Sequence, residues 1–154
     1  MKVFLGMAPG VGKTAAMLQA AVADKLAGRD VVIAVAQARG VRAVETLAGR
    51  LPWIGGHTGN DIDLDEIVER RPDIVVVDEL ARANPAEARH PRRFQDVLEM
   101  LEAGIDVYTT LNVYEMASRA NLLWPLAGAA SHQTVPDGIL DKAVIVLVDL
   151  PPPP

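Results

Sequence analysis

Short apolar runs and longer amphipathic segments alternate along the chain. Five apolar runs, rich in valine and isoleucine, have the length of strands and cover residues 2–6, 30–36, 72–80, 105–112 and 142–150. Five further segments have apolar residues at helical spacing and cover residues 13–28, 41–51, 61–71, 94–104 and 113–128. Because the strand runs are almost continuously apolar, both faces of the sheet are expected to be covered. The pattern predicts an α/β fold, a three-layer sandwich with a mostly parallel five-stranded sheet.

The composition is that of one folded domain and excludes several kinds of site. Half of the 154 residues are hydrophobic and none is cysteine, which excludes disulfides, thiol catalysis and cysteine-based zinc sites. A formal net charge of −5 argues against a nucleic acid partner. No apolar run approaches the ~20 residues of a membrane-spanning helix, so we expect no membrane insertion by this segment. We expect one domain over residues 1–150 and a proline-rich linker toward a further region over residues 151–154.

The stretch MAPGVGKT, residues 7–14, joins the first predicted strand to the first predicted helix and has the residue types of a phosphate-binding loop. Its glycines let backbone N–H groups approach a phosphate closely, and the helix N-terminus behind them adds a partial positive charge. In this Walker A pattern the lysine reaches the β- and γ-phosphates and the threonine hydroxyl ligates Mg²⁺. We therefore predict a P-loop NTPase-like domain, with strand order 5-1-4-3-2, that binds ATP and Mg²⁺. Its loop residues are Pro9, Gly10, Val11, Gly12, Lys13 and Thr14.

Met7 stands where the full pattern G-x-x-x-x-G-K-[ST] has its first glycine, and Gly6 is one residue early. The remainder of the loop, GVGKT, is intact. Two alternatives therefore stay open. The stretch is a glycine turn followed by a surface lysine, or the chain is a P-loop fold that has lost nucleotide binding.

Two acids, Asp78 and Glu79, directly follow the apolar run IVVV. An acid at the end of such a strand holds Mg²⁺, directly or through water, in P-loop proteins, and we assign this Walker B role to Asp78. Glu79 is the candidate catalytic residue, because a carboxylate beside the metal can orient or deprotonate an attacking water. The alternative is a pair of solvated acids that end a strand.

Two weaker signals come from the fourth strand and from the loop over residues 81–93. If the fourth strand lies between the first and the third, Asn112 or Thr110 could face the γ-phosphate; the alternative for Asn112 is a helix cap. The loop has four arginines, which could supply an arginine finger to a neighbouring subunit or dock onto an acidic partner. Arginines that are solvated, or paired with acids of the chain, are the plainer interpretation. The three histidines have no metal-ligand spacing, so we expect no metal besides Mg²⁺.

Four stretches of the chain together resemble one known family. They are GVGKT, DLDEIVERRPDIVVVDEL, RHPRRFQDVLEMLEAGIDVYTTLNV, and TVPDGILDKA with the following LVDLPP. They are similar to the N-terminal cytoplasmic domain of the KdpD family of potassium- and turgor-responsive sensor histidine kinases, over residues 1–152. The resemblance implies a cytoplasmic, regulatory ATP-binding domain, with membrane helices and a kinase core further along the full-length protein. It also implies that the other sensor-kinase domains are its partners, and that it tunes their kinase and phosphatase activity toward a response regulator.

Three departures from the usual motifs of this family lie at strand ends. Where the family usually has ETHGR, this chain has QARGV, with Gln37 in place of glutamate. The usual LAHTN is LARAN here, with Arg82 in place of histidine. The usual NVQH is NVYE, with Glu115 in place of histidine. These changes weaken the expectation of ATP hydrolysis more than that of a phosphate site. We therefore expect at most a weak ATPase that regulates two-component signalling. The alternative is a stand-alone ATPase or small-molecule kinase that uses residues 82–93 as a lid.

Overall fold

A computed structural model of the chain describes residues 1–7, 12–37, 40–55, 62–116 and 134–148. Within these ranges the strands are β1 (Lys2–Gly6), β2 (Val31–Val35), β3 (Ile74–Val77), β4 (Asp106–Asn112) and β5 (Val144–Leu147). The α-helices are α1 (Lys13–Leu26), α2 (Arg42–Ala48), α3 (Leu64–Arg70) and α4 (Arg93–Glu102). Two short 3₁₀ turns, Val113–Glu115 and Asp137–Leu140, follow β4 and precede β5.

The five strands form one parallel sheet in the order β2-β3-β4-β1-β5. This is the predicted order 5-1-4-3-2 counted from the other edge, so the α/β class, the strand number and the strand order are confirmed. Because β4 pairs with both β1 and β3, the carboxyl ends of these three strands lie side by side. Ligands of open parallel sheets bind at this edge.

Two separate cores cover the two faces of the sheet. α1 and α2 pack on one face, and α3 and α4 pack on the other. Successive residues of a strand point to opposite faces, so Val75 belongs to one core and Val76 to the other. Each fully buried valine of this kind contributes about 1.5–3 kcal/mol to stability. The continuous apolar runs of the sequence thus supply both cores at once.

α1 begins beside the carboxyl end of β1. Gly12 precedes it in a left-handed conformation, with φ of +91°, which glycine adopts without steric cost. Gly12 has no side chain with which to cap the first turn, whereas α3 is capped by Asp63, which accepts from the N–H of Glu66 at 3.1 Å. The first turn of α1 therefore presents backbone N–H groups that need other acceptors.

Several elements are shorter than predicted. β3 ends at Val77, before the two acids. The helix predicted over residues 113–128 begins instead as the 3₁₀ turn Val113–Glu115, and its residues from 117 onward lie outside the described part, as does the predicted linker over residues 151–154. Burial on both faces is wrong for β5, whose residues are largely exposed, because no described helix packs extensively against it; β2, at the other edge, packs against α1 and is buried throughout.

The longest described helix, α1, has 14 residues, whereas a bilayer crossing needs about 20. Within the described part of the chain, no helix has both the length and the apolar character of a membrane span.

Candidate functional site

The carboxyl ends of β1, β3 and β4 meet the first turn of α1 at one edge of the sheet. The predicted site residues that the structure describes all lie at this edge: Gly12, Lys13, Thr14, Asp78, Glu79 and Asn112. Pro9, Gly10 and Val11 lie outside the described residues, so their contacts with phosphate stay predictions. The strand order thus brings together candidates that are far apart in the sequence.

Asp78 is the centre of the hydrogen-bond network at this edge. Its side chain is 0% exposed. Oδ1 accepts hydrogen bonds from the Thr110 hydroxyl at 2.6 Å and from the N–H of Glu79 at 3.1 Å. Oδ2 accepts from the Thr14 hydroxyl at 3.0 Å and from the N–H of Gln37 at 2.9 Å. Because a buried carboxylate needs such donors in place of water, this network fixes the orientation of Asp78.

Thr14 and Asp78 are the two residues that the sequence predicts as Mg²⁺ ligands. They are 64 positions apart, yet Thr14 Oγ1 lies 3.3 and 3.0 Å from the two carboxylate oxygens. Adjacent ligands of an octahedral Mg²⁺, each with a bond of ~2.1 Å, are about 3.0 Å apart. The two side chains therefore already have a separation that the ion accepts.

The metal would have to complete its coordination from outside the protein. Among the residues that the structure describes, no group of three or more His, Cys, Asp or Glu could hold a metal ion. Mg²⁺ usually keeps several waters and binds one or two carboxylates together with substrate phosphates. One hydroxyl and one carboxylate are typical of a Mg²⁺ site that is completed by water and phosphate, and not of a structural metal site formed by protein ligands alone.

Lys13 is a nearly buried cation, 9% exposed, at the first position of α1. Burial lowers the pKa of its ammonium group, and the charges of Glu115, Asp78 and Glu79 oppose that change. Opposite charges favour the protonated form of a lysine. The ammonium group therefore lies in an acidic environment at the end of the helix where phosphate is expected.

Glu79 has a backbone conformation that few residues other than glycine adopt, with φ of +59°. Its N–H donates to Thr110 Oγ1 at 2.9 Å and to the Asp78 carboxylate, and these bonds hold the strained conformation. Its carboxylate forms an ion pair with Arg82 at 2.7 Å and lies 3.9 Å from Arg93. The candidate catalytic acid is thus fixed at its backbone and engaged by arginine at its side chain.

Arg93 holds the backbone of Asp78 and Glu79 through hydrogen bonds to their carbonyl groups. Its side chain is 1% exposed, and its Nη1 donates to the carbonyl oxygens of Asp78 at 2.7 Å and Glu79 at 3.4 Å. Burial lowers the pKa of its guanidinium. A solvated role is therefore wrong for Arg93. It shares the buried face of α4 with Val97 and Met100, and this spacing at positions i, i+4 and i+7 is the signal that could have predicted its burial.

The other three arginines of the loop also have partners within the chain. The acceptors are Glu79 for Arg82, Asp65 and Glu99 for Arg89, and the backbone carbonyls of Ala81 and Thr134 for Arg92. Pairing with acids of the chain is confirmed for Arg82 and Arg89. An arginine-finger role would require these side chains to leave their present partners.

β4 lies between β1 and β3, which is the condition for a γ-phosphate contact from its end. Thr110 instead faces Asp78 and serves as its closest hydrogen-bond donor. Asn112 lies opposite Gly6 in the parallel register, and its side-chain oxygen is buried with no hydrogen-bond partner among the described residues. Because such an atom costs stability, a donor from a ligand or its metal-bound water would satisfy it. Asn112 is also the N-cap residue of the turn Val113–Glu115, which agrees with the helix-cap alternative. A γ-phosphate contact from Asn112 or Thr110 therefore stays a prediction.

Glu115 is the site residue whose position sequence reasoning missed. Its Oε1 accepts from the N–H of Asn112 at 2.8 Å, which folds the carboxyl group back over the end of β4. Burial raises its pKa, and the N–H of Asn112 and the charge of Lys13 oppose that rise. The signal was the spacing N-x-x-E at the start of a helical turn, which typically brings the acid back to the preceding N–H.

Comparison with known proteins decides the family. A family model described as osmosensitive K⁺ channel His kinase sensor domain matches residues 1–154. The chain belongs to the KdpD sensor-domain family. The resemblance identified from the four sequence stretches is thereby confirmed over the whole KdpD-type domain.

Individual KdpD proteins are similar along nearly the whole chain. The sensor protein KdpD of Escherichia coli (strain K12) is 42% identical over 99% of this chain, and that of Clostridium acetobutylicum is 38% identical over 99%. A KdpD relative from Synechocystis sp. is 38% identical over 98%. The chain spans 18% of the length of each of the first two proteins and 43% of the third.

Proposed function

We propose that this KdpD-family domain is a regulatory ATP-binding module of a sensor histidine kinase that responds to potassium and osmotic conditions. The observation that carries the proposal is the contact between the Thr14 hydroxyl and the buried Asp78 carboxylate. It brings two oxygen ligands to a Mg²⁺-compatible separation beside the first turn of α1, where phosphate is favoured. The family model and the names of the relatives as sensor proteins support the regulatory part.

Each site residue would have a separate task in the ATP complex. Thr14 and Asp78 would hold Mg²⁺, which bridges phosphate oxygens and neutralises their charge. Lys13 would exchange its acidic surroundings for the β- and γ-phosphates. The backbone N–H groups of residues 9–12 would surround the same phosphates.

The side chains around Glu79 favour holding ATP over consuming it. The candidate base for hydrolysis is the Glu79 carboxylate, which is engaged by Arg82 and lies near Arg93. A stand-alone ATPase or small-molecule kinase would also need a mobile lid, whereas the arginines of residues 82–93 have partners within the chain. We therefore expect slow turnover, with binding itself as the signal.

The nucleotide state would be passed to the rest of a longer protein. The chain spans 18% of the E. coli relative, so most of a protein of that length lies beyond this domain. We expect other sensor-kinase domains to be the direct partners and a response regulator to be an indirect one. Such a role places the domain in the cytoplasm, where ATP and the regulator are available.

Replacing Lys13 by alanine tests the proposal. Titration with ATP, ADP and GTP, with and without Mg²⁺, is expected to show binding of Mg·ATP to the unmodified domain. K13A should weaken that binding at least about tenfold, since a charge-assisted phosphate contact is lost, while circular dichroism shows an intact fold.

Lys25 offers a matched control, because it is an exposed lysine in the last turn of the same helix. K25A should bind Mg·ATP like the unmodified domain. If K13A and K25A bind equally well, the phosphate site is not where we place it.

A further inference from the structure

Residues 79–82 form a tight turn that returns Arg82 to Glu79. The N–H of Arg82 donates to the carbonyl of Glu79 at 3.1 Å, and the N–H of Leu80 donates to the carbonyl of Thr110 at 3.0 Å. The guanidinium of Arg82 then reaches Glu79 Oε2 at 2.7 Å. The ion pair is therefore built on a turn that is tied to β4.

The backbone of Glu79 is held by several contacts, and two arginines lie near its carboxylate. Its φ is +59°, its N–H has two acceptors, and its carbonyl accepts from the buried Arg93. Arg93 also lies 3.9 Å from Oε2, the same oxygen that Arg82 contacts. A guanidinium that donates a charge-assisted bond to Oε2 fixes the position of the carboxylate, so the group cannot turn freely toward a water molecule.

The Arg82–Glu79 pair is a restraint that can be released. The two side chains are 42% and 43% exposed, and ion pairs at such exposure are individually weak. Removal of the guanidinium, or its capture by another anion, would therefore free the carboxylate without disturbing the buried network around Asp78.

We infer that Arg82 is a positioning residue that restrains Glu79 and thereby keeps nucleotide turnover low, an inference that rests on the proposed function. In hydrolysis, the oxygen of water would bond to the γ-phosphorus, and the proton of water would pass to a carboxylate oxygen of Glu79. The bond from that phosphorus to the β–γ bridging oxygen would break, and its electron pair would leave with ADP. While Arg82 holds the carboxylate in place, the base is not free to turn toward the water, so proton transfer is slower and the nucleotide stays bound longer.

The test measures ATP affinity and phosphate release in the same variants. R82A is expected to raise the rate of phosphate release about three- to fivefold, the most that the loss of an exposed ion pair of up to about 1 kcal/mol allows, with ATP affinity changed less than about twofold. R82K retains a charge but not the planar fork, so its rate should lie between those of R82A and the unmodified domain. In E79Q/R82A the rate of phosphate release should not increase, because the Glu79 carboxylate that R82A would release is absent.

Arg70 provides the control variant, since it forms a comparable exposed ion pair with Asp30 at 3.0 Å, away from the site. R70A should change neither affinity nor rate. A rate in R82A that equals or falls below that of the unmodified domain, with affinity retained, overturns the inference, as does an increase that persists in E79Q/R82A. If ATP does not bind the unmodified domain at all, the titration shows that the proposed function itself has failed.

Discussion

Replacing Thr110 by valine should loosen the centre of the site while leaving the sheet intact. The two side chains have similar shapes, so the change is confined largely to the hydroxyl group. That hydroxyl donates to Asp78 Oδ1 at 2.6 Å and accepts from the N–H of Glu79 at 2.9 Å. We expect T110V to lower both the stability of the fold and the affinity for Mg·ATP, since Asp78 loses its closest donor.

The size of the stability effect follows from these two bonds. A hydrogen bond to a charged group contributes about 1.5–3 kcal/mol. In T110V the N–H of Glu79 loses Thr110 Oγ1 as an acceptor but keeps Asp78 Oδ1 at 3.1 Å. The loss of this second hydrogen bond therefore adds little to the destabilisation. The free energy of unfolding should therefore fall by about 2 kcal/mol, which corresponds to a Tm lower by about 4–8 °C in a domain of this length.

Urea and thermal unfolding of T110V beside T46V would check this value. The Thr46 hydroxyl donates to the carbonyl of Arg42 at 2.9 Å at an exposed position on α2. T46V thus makes the same chemical change where water can compensate, and it should alter stability by less than about 0.5 kcal/mol. Equal effects in T110V and T46V would refute the view that the Thr110 hydroxyl holds Asp78.

Two further predictions concern Asp78 and Asp96. D78N should remove the Mg²⁺ dependence of ATP binding, because a neutral amide is a poorer ligand for a hard cation than a carboxylate; a Kd that Mg²⁺ still lowers tenfold in D78N would contradict this role. Asp96 is buried, and burial raises its pKa above the usual value of about 3.9. A raised carboxyl pKa gives stability that is present at low pH and is lost as pH rises through the folded-state pKa. D96N should lack this loss, so the stability of D96N relative to the unmodified domain should increase as pH rises from about 4. If the free energies of unfolding of the two proteins change with pH in parallel, the prediction is wrong.

The sheet could be predicted because the apolar residues of its strands must be buried on both faces. A run such as IVVV buries residues on both faces, and this requires helical layers on both sides of a parallel sheet. The pairing of Thr14 with Asp78 was also predictable, since both follow strand ends that a parallel sheet brings to one edge. The two residues are far apart in the sequence, but the predicted fold is enough to make them neighbours.

Other site features depend on contacts that no local pattern records. The spacing of Arg93 with Val97 and Met100 could have predicted its burial, but only the packing of α4 shows that its guanidinium donates to two carbonyl groups. Gln37 differs from the residue usual in the family, yet it binds Asp78 through its backbone N–H, a contact that other residue types would also make. The sequence change at this position therefore says less about Mg²⁺ than its side-chain chemistry suggested.

The structure of the domain with Mg·ATP, or with an analogue that cannot be hydrolysed, tests the central claim most directly. We predict Mg²⁺ bound to Thr14 Oγ1, with Asp78 bound to it directly or through one water. The β- and γ-phosphates should lie against Lys13 and the backbone N–H groups of residues 9–14. Nucleotide bound elsewhere on the domain, with the Thr14–Asp78 hydrogen bond unchanged, would contradict the claim.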